Sequence, residues 1–233
     1  MDDRQTVRDT KLDDLSRDIP FFEGLPMDSV RAALAHIVTR EHPAHRVIVL
    51  EEDWGSSVYF ILSGWVKIRT YNIDGKEVTL NIVGKGEVVG EMAVLDEAPR
   101  STDVITLTPT VVANMPGNDF RHLLDTEPQA GVRLAKLMAR RLRQVNRRLR
   151  LRESDSVSRV ADILLFLAEG QGTRRETGIE IPNLPHRELS SLSGMARETV
   201  TRVLGKLEKK GLILRSQDSF QIVNVDALEK ILV

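Results

Sequence analysis

The sequence contains no cysteine. That absence excludes a disulfide framework, a thiolate metal site and a Cys-ligated iron–sulfur cluster. Long apolar runs are also missing. No stretch approaches the roughly 18 consecutive apolar residues that a membrane-spanning helix needs. Aromatic residues make up only 4% of the 233 positions. Neither sign of charge dominates, with 33 Lys and Arg against 34 Asp and Glu. A net charge of −1 excludes a globally basic nucleic-acid binder. The start, Met1-Asp2-Asp3-Arg4-Gln5, is polar and lacks a signal-peptide core, so a cytoplasmic location is expected. His42 and His45 in HPAHR have no further ligands at metal spacing, and no metal site is expected. Trp54 and Trp65 read as core or surface aromatics.

What is present is the composition of a globular chain, 41% hydrophobic and 29% charged, long enough for one or two domains with their own cores. The charge is unevenly placed. Arg140-Arg141-Leu142-Arg143, Arg147 to Arg152 and Arg197 to Lys210 are basic, whereas acids gather near the N-terminus and from Glu87 to Glu97. Local basic patches, not net charge, would meet phosphates.

Residues 1–18 read as a loosely ordered polar extension. Met27 to Ile37 reads as a helix. Between Ala44 and Pro116, short β-rich runs (Arg46–Leu50, Val58–Leu62, Val66–Tyr71, Val78–Val83, Val111–Asn114) alternate with turn signals at Ser63-Gly64, Asp74-Gly75, Gly84-Lys85-Gly86 and Pro116-Gly117. This pattern predicts a β-sandwich or barrel, with Asp74-Gly75 as a hairpin turn. Gly117 to Leu124 reads as a short helix. Thr126 then offers an N-cap oxygen to a long helix reaching about Glu153. Ala135, Met138, Leu142, Val145 and Leu149 form an a/d seam on that helix, which predicts a partner helix, most simply in a parallel homodimer. The alternative is a single helix packed on its own β-domain.

Ser154-Asp155-Ser156 reads as a cap and Val157 to Leu167 as an amphipathic helix; the domain boundary is expected near 152–156. Beyond lie a polar loop, Gly170 to Gly178, and a strand, Ile179–Ile181. A two-stranded wing follows the last helices, Leu212–Arg215 with Phe220–Val223 and Ser216-Gln217-Asp218 between.

Two segments carry chemistry. Pro185 to Leu192, the turn Ser193-Gly194-Met195 and a helix opening at Arg197 have helix-turn-helix spacing with Gly in the turn. Arg197, Glu198, Thr201 and Arg202 fall on one exposed flank of that second helix. Val200, Val203, Leu204 and Leu207 fall on the other. Two guanidiniums and a carboxylate match base edges in a DNA major groove; the alternative is a solvated amphipathic helix. The second segment runs from Gly86 to Thr102. Its glycines permit close backbone approach, Arg100 offers a planar fork for phosphate, Ser101 a hydroxyl, and Glu91 an acceptor for sugar hydroxyls. Together they suggest a sugar-phosphate pocket; the alternative is an acidic hairpin loop.

From about Ile19 to Val223 the chain resembles the bacterial cyclic-AMP receptor protein/fumarate-nitrate regulator (CRP/FNR) transcription factors. The resemblance lies in PFFEGLP, the hairpin SGWVKIRTYNIDGKEVTL, the cassette GEMAVLDEAPRST, the helix LMARRLRQVNRRL and RETVTRVLGKLEKKGLI. It implies an α+β architecture in four parts. These are the extension 1–18, a cyclic-nucleotide-binding β-roll over 19–125, a dimerisation helix over 126–153 and a winged helix-turn-helix DNA-binding domain over 154–233. It implies cyclic AMP as allosteric ligand, with Glu91 on the ribose 2′-hydroxyl, Arg100 and Ser101 on the cyclic phosphate, Gly90 and Met92 beside them, and Ile68 and Leu80 as an apolar wall. Asn146 would meet the adenine, but Val145 stands where the family has a hydrogen-bonding residue and departs from the pattern. Met138, Leu142, Val145 and Leu149 would form the dimer interface.

In the DNA-binding half the resemblance implies Arg197, Glu198 and Arg202 as base readers, with Thr199, His186 and Thr201 nearby. The site would be palindromic and TGTGA-like on double-stranded DNA, with RNA polymerase as a further partner and transcriptional activation as the expected outcome. Ala196 replaces a frequent Ser. Rival readings keep the fold with cyclic GMP, cyclic di-GMP, 2-oxoglutarate or no effector. Others make the chain a scaffold without DNA binding, or a nucleotide hydrolase using Glu91. No catalytic residues are expected, since no nucleophile–base pair or metal cluster is recognisable.

Overall fold

In residues 57–63 the apolar side chains fall on both sides of one strand, and that strand organises the N-terminal half. Val58 and Phe60 point to one core, Ile61 to the other. A computed structural model describes residues 14–216 and 219–232. The chain divides into two units, one of residues up to Thr70 with Ile82–Ala139, the other of Tyr71–Asn81 with Arg140–Val233.

The N-terminal half holds eight strands: β1 (Val38–His42), β2 (Val47–Val49), β3 (Ser57–Ser63), β4 (Val66–Tyr71), β5 (Glu77–Val83), β6 (Val88–Val89), β7 (Asp103–Thr106) and β8 (Thr110–Pro116). They form two sheets, ordered β1-β8-β3-β6 and β2-β7-β4-β5. Val49, Ile61, Val66, Val83, Val89, Val104 and Val112, drawn from both sheets, fill one core. On the other face of β3, helices α1 (Met27–Ala33), α3 (Gly117–Thr126) and the first half of α4 (Pro128–Leu151) cover Val58, Phe60 and Met115. Few aromatics are present, but Phe21, Phe22, Phe60 and Phe120 are gathered here with ring centroids 5.2 to 6.4 Å apart. The short helix α2 (Glu91–Leu95) interrupts the strands. The Asp74-Gly75 turn forms as expected: Gly75 takes φ +72°, and Asn72 N donates to Lys76 O at 3.0 Å.

Several boundaries differ from the sequence expectation. β1, β6, β7 and α2 are additional elements. α1 ends at Ala33, with Leu34 buried past its end. Residues 14–18 are helical rather than loose, while 1–13 lie outside the described residues. Thr126 is not an N-cap: it closes α3, and its hydroxyl donates back to His122 O at 2.8 Å. An N-cap residue has a non-helical backbone, whereas Thr126 is still inside α3.

In the second unit, α5 (Ser156–Gln171) runs through the core, with α6 (His186–Ser193) and α7 (Arg197–Lys209) packed on it. Asp155 caps α5, its carboxylate accepting from Val157 N at 2.7 Å and Ser158 N at 3.2 Å. α5 is more than amphipathic: Val160, Ala161 and Ile163 to Ala168 are all buried. Inside the expected polar loop at 170–178 a strand forms, β9 (Thr173–Arg175), and pairs with β10 (Gly178–Pro182), which contains the expected strand Ile179–Ile181. The expected two-stranded wing is accordingly a four-stranded sheet, β11-β12-β10-β9, with β11 (Ile213–Arg215) and β12 (Ser219–Ile222). Gln217 and Asp218 of the wing turn lie outside the described residues. A further helix, α8 (Val225–Glu229), buries Leu228.

Candidate nucleotide pocket and DNA-reading helix

In the first unit, Glu91 and Arg100 are both buried to 3% exposure. Burying a full charge is costly unless it is paired or hydrogen-bonded, and around Arg100 the backbone is shaped to do so. Gly90 turns through φ +80° and opens α2 at Glu91. Its carbonyl accepts from Arg100 Nη1 at 2.5 Å, and the Ser57 carbonyl accepts from Nη2 at 2.7 Å. The Tyr59 ring lies 5.8 Å from the guanidinium carbon. Burial lowers the Arg100 pKa, and Tyr59 and Glu91 pull it back up.

Glycine is required twice here. A Cβ on Gly90 would stand 2.7 Å from Arg100 Nη1, and one on Gly55 would stand 2.3 Å from Nε. The guanidinium therefore fills a cradle left open by two missing side chains. Gly55, Ser57 and Tyr59 are the residues the sequence reading missed. They sit more than 40 positions from Arg100, and backbone bonds from Glu52 N to Arg100 O and from Arg100 N to Asp53 O, both 2.9 Å, lay the two segments side by side. Ser101 and Met92 are exposed beside this pair, and Ile68 packs against the core between the sheets. The residues present suit a small anion with neighbouring hydroxyls: a fixed fork for phosphate, a buried carboxylate for a hydroxyl and a serine at the rim.

Leu80 lies in the 71–81 tip that groups with the second unit, as do Val145 and Asn146. Leu80 is exposed, and its carbonyl accepts from Arg148 Nη1. On α4 the seam divides. Met138 packs on the chain's own core, together with Ala130, Leu134 and Leu137, because the first half of α4 lies on the β-roll. Leu142, Val145 and Leu149 stay 49 to 61% exposed.

The helix-turn-helix forms at the expected positions. Gly194 takes φ +63° between α6 and α7. Val200, Val203, Leu204 and Leu207 are buried, whereas Arg197, Glu198, Thr201 and Arg202 are exposed and Thr199 is half-buried. Ala196 precedes α7 without a side-chain cap. His186, first residue of α6, lies with Nδ1 2.8 Å from Thr201 Oγ1, and Arg215 Nη1 reaches its Nε2 at 3.1 Å. Among the described residues no cluster of three or more His, Asp or Glu could hold a metal ion. None of the described helices is long and apolar enough to cross a membrane.

A β-roll with a buried Arg–Glu cassette and a separate helix-turn-helix define the class of nucleotide-sensing DNA-binding regulators. Residues 39–127 match the cyclic nucleotide-binding domain, and residues 158–231 match the Crp-like helix-turn-helix domain. The chain is 33% identical over 214 residues to the cyclic AMP receptor protein of Thermus thermophilus, covering 91% of this chain and 96% of that one. It is 28% identical to the CRP-like cAMP-activated global transcriptional regulator of Mycobacterium tuberculosis, covering 94% and 99%. A solved CRP/FNR-family transcriptional regulator from Thermus thermophilus superposes with a TM-score of 0.64 at 26% identity, covering 84% of this chain and 98% of that one. The chain belongs to the CRP/FNR family of cyclic nucleotide-regulated transcription regulators.

Proposed function

We propose that the chain is a homodimeric activator that takes cyclic AMP as its allosteric ligand and binds palindromic, TGTGA-like promoter DNA. The observation that carries this reading is the buried Arg100–Glu91 pair in its glycine cradle. Arg100 and Ser101 hold the cyclic phosphate. Glu91 accepts from the ribose hydroxyl, with Gly90 and Met92 alongside, and Ile68 and Leu80 contribute apolar surface. Asn146 donates to or accepts from the adenine. The names of the Thermus and mycobacterial relatives support cyclic AMP.

Leu142, Val145 and Leu149 support dimerisation, because three large apolar side chains at seam spacing gain from a partner helix. Two α7 helices set one helical turn of DNA apart then read two half-sites. Arg197 and Arg202 face guanines and Glu198 a cytosine, while His186, Thr199 and Thr201 lie near the backbone. The ligand changes DNA affinity only through its differential affinity for two states of the dimer. RNA polymerase is the downstream partner. The chain works in the cytoplasm by binding rather than by catalysis.

One observation favours a second reading with the same fold. Val145 offers the base no hydrogen bond, which suits another effector such as cyclic GMP, cyclic di-GMP or 2-oxoglutarate.

Titration of cyclic AMP against a labelled duplex carrying two inverted TGTGA half-sites tests the proposal. Tighter DNA binding with ligand is expected, and unchanged affinity removes cyclic AMP as the effector. Arg197→Ala with Arg202→Ala is expected to abolish specific retention and leave nucleotide binding intact. Specific retention that survives both changes removes these two arginines as readers.

A further inference from the structure

The second half of α4 carries a cationic face that neither nucleotide nor DNA reading uses. With the seam at Ala135, Met138, Leu142, Val145 and Leu149, Arg140 and Arg147 fall at heptad position f, and Arg143 and Arg150 at position b. These positions point away from the seam, so a partner helix leaves them accessible. The four arginines, with Gln144, Asn146 and Glu169 of α5, enclose a recess of about 430 Å³. Sites of about 300 to 1,000 Å³ are the usual size for small ligands.

The recess is built at one end and open at the other. Arg147 Nε lies 2.5 Å from Asp162 Oδ1, and its Nη1 lies 3.2 Å from Glu169 Oε1. Asp162 is nearly fully buried, so this guanidinium is fixed against α5. Arg143 and Arg150 project into solvent on either side of it along the helix. Arg143, Arg147 and Arg150 line the recess together with one carboxylate, Glu169. The spacings 140–143, 143–147 and 147–150 are each three or four residues, so like charges are neighbours on one helix face and mutually destabilising. The helix rises about 15 Å between Arg140 and Arg150. A linear polyanion laid along that face meets several forks at once and relieves their repulsion.

We propose that this recess binds a small ligand carrying a chain of phosphates, as a second effector site separate from the cyclic nucleotide cassette. The phosphates lie along Arg143, Arg147 and Arg150, with Glu169 released from Arg147 as they enter. The side-chain amide of Gln144 borders the recess, where it hydrogen-bonds to polar groups attached to the chain. A nucleoside triphosphate and an inorganic polyphosphate share this chemistry.

Isothermal titration of the full chain with sodium tripolyphosphate at low salt tests the proposal. Saturable binding that weakens as ionic strength rises is expected. The double variant R143E/R150E is expected to bind at least about tenfold more weakly, since two charge-assisted contacts become repulsive. The same variant retains cyclic nucleotide binding, which reports that its fold is intact; if it fails to fold, R143Q/R150Q replaces it. Adenosine and guanosine triphosphate form the second arm. Tighter binding than tripolyphosphate assigns the nucleoside source, and equal or weaker binding assigns the inorganic one. No binding of tripolyphosphate or either triphosphate overturns the proposal, as does binding that R143E/R150E and R143Q/R150Q leave unchanged. Loss of non-specific duplex binding in the variant without any phosphate-chain binding also overturns it, assigning the face to DNA flanks instead.

Discussion

His186 and Thr201 join the two helices of the DNA-binding motif through a contact of 2.8 Å between Nδ1 and Oγ1. The Thr201 hydroxyl donates onward to Arg197 O at 3.0 Å, so Nδ1–H of His186 is the donor to Thr201. Nε2 then accepts from Arg215. The neutral ring suits this chain of bonds, and burial, Arg215 and Arg197 all lower its pKa from 6.5, opposed by Glu208.

The unfolded chain therefore takes up the His186 proton at a higher pH than the folded chain does. The stabilisation is complete above pH 6.5 and is lost as pH falls from there through the lower folded value. The urea midpoint is expected to fall between pH 7 and pH 5. His186→Gln is expected to flatten that fall; an equal fall in the variant assigns the pH dependence to other groups.

The glycine cradle predicts an effect remote in sequence from the cassette. Gly55→Ala sets a methyl group 2.3 Å from Arg100 Nε and forces the guanidinium to move. Cyclic nucleotide affinity is expected to drop at least about tenfold, equivalent to about 1.4 kcal/mol. Gly170→Ala, whose Cβ meets nothing within 4 Å and whose backbone lies within helix α5, is expected to leave affinity unchanged. Calorimetry on the two variants separates the clash from a general cost of losing glycine.

Asp155 is held ionised by hydrogen bonds from the Ser158 hydroxyl and from the Ser158 and Val157 amides, which lower its pKa below 3.8. Asp155→Ala is expected to cost about 1 kcal/mol of stability, the usual loss for an N-cap. The difference from the parent protein is full above pH 3.8 and shrinks as pH falls through the lower folded value. Chemical denaturation at pH 6 and pH 3 measures both.

Asp162 is buried inside α5 and faces two arginines. Burial raises its pKa against the pull of Arg147 and Arg148. Burial also lowers Arg148 to about 10, with Asp162 opposing. Arg148 still carries its charge at neutral pH, 4.3 Å from the centre of the Phe166 ring. Removing Asp162 leaves these cations without their buried acid. Asp162→Ala is expected to destabilise the protein by about 3 kcal/mol, read as a lower denaturation midpoint. A loss below about 1 kcal/mol places Arg147 and Arg148 in a more solvated setting than this geometry describes.

Much of the architecture is legible in the sequence, for physical reasons that differ by element. The period of Val200, Val203, Leu204 and Leu207 marks the buried face of α7, because a helix of about 3.6 residues per turn stacks those positions. Asp74-Gly75 marks its hairpin, because Gly75 supplies a positive φ where other residues are strained. The Gly170–Gly178 stretch misled because its polar side chains read as loop, yet β9 is held to β10 by backbone pairing that side-chain polarity does not report. Thr126 misled because its hydroxyl has two local acceptor and donor options, and α3 claimed it.

The chemistry at the cassette divides in the same way. Arg100, Glu91 and the glycine at 90 are visible as a phosphate-suited string, because their residue types carry the chemistry wherever they are placed. That the Ser57 carbonyl holds the guanidinium and Gly55 leaves it room depends on contacts across some forty residues, and no local pattern encodes it. Residue type and local period by themselves determined which groups are able to act and which helix presents them. Only the tertiary structure decided which groups are buried and who their partners are, because those follow from contacts between segments distant in the chain.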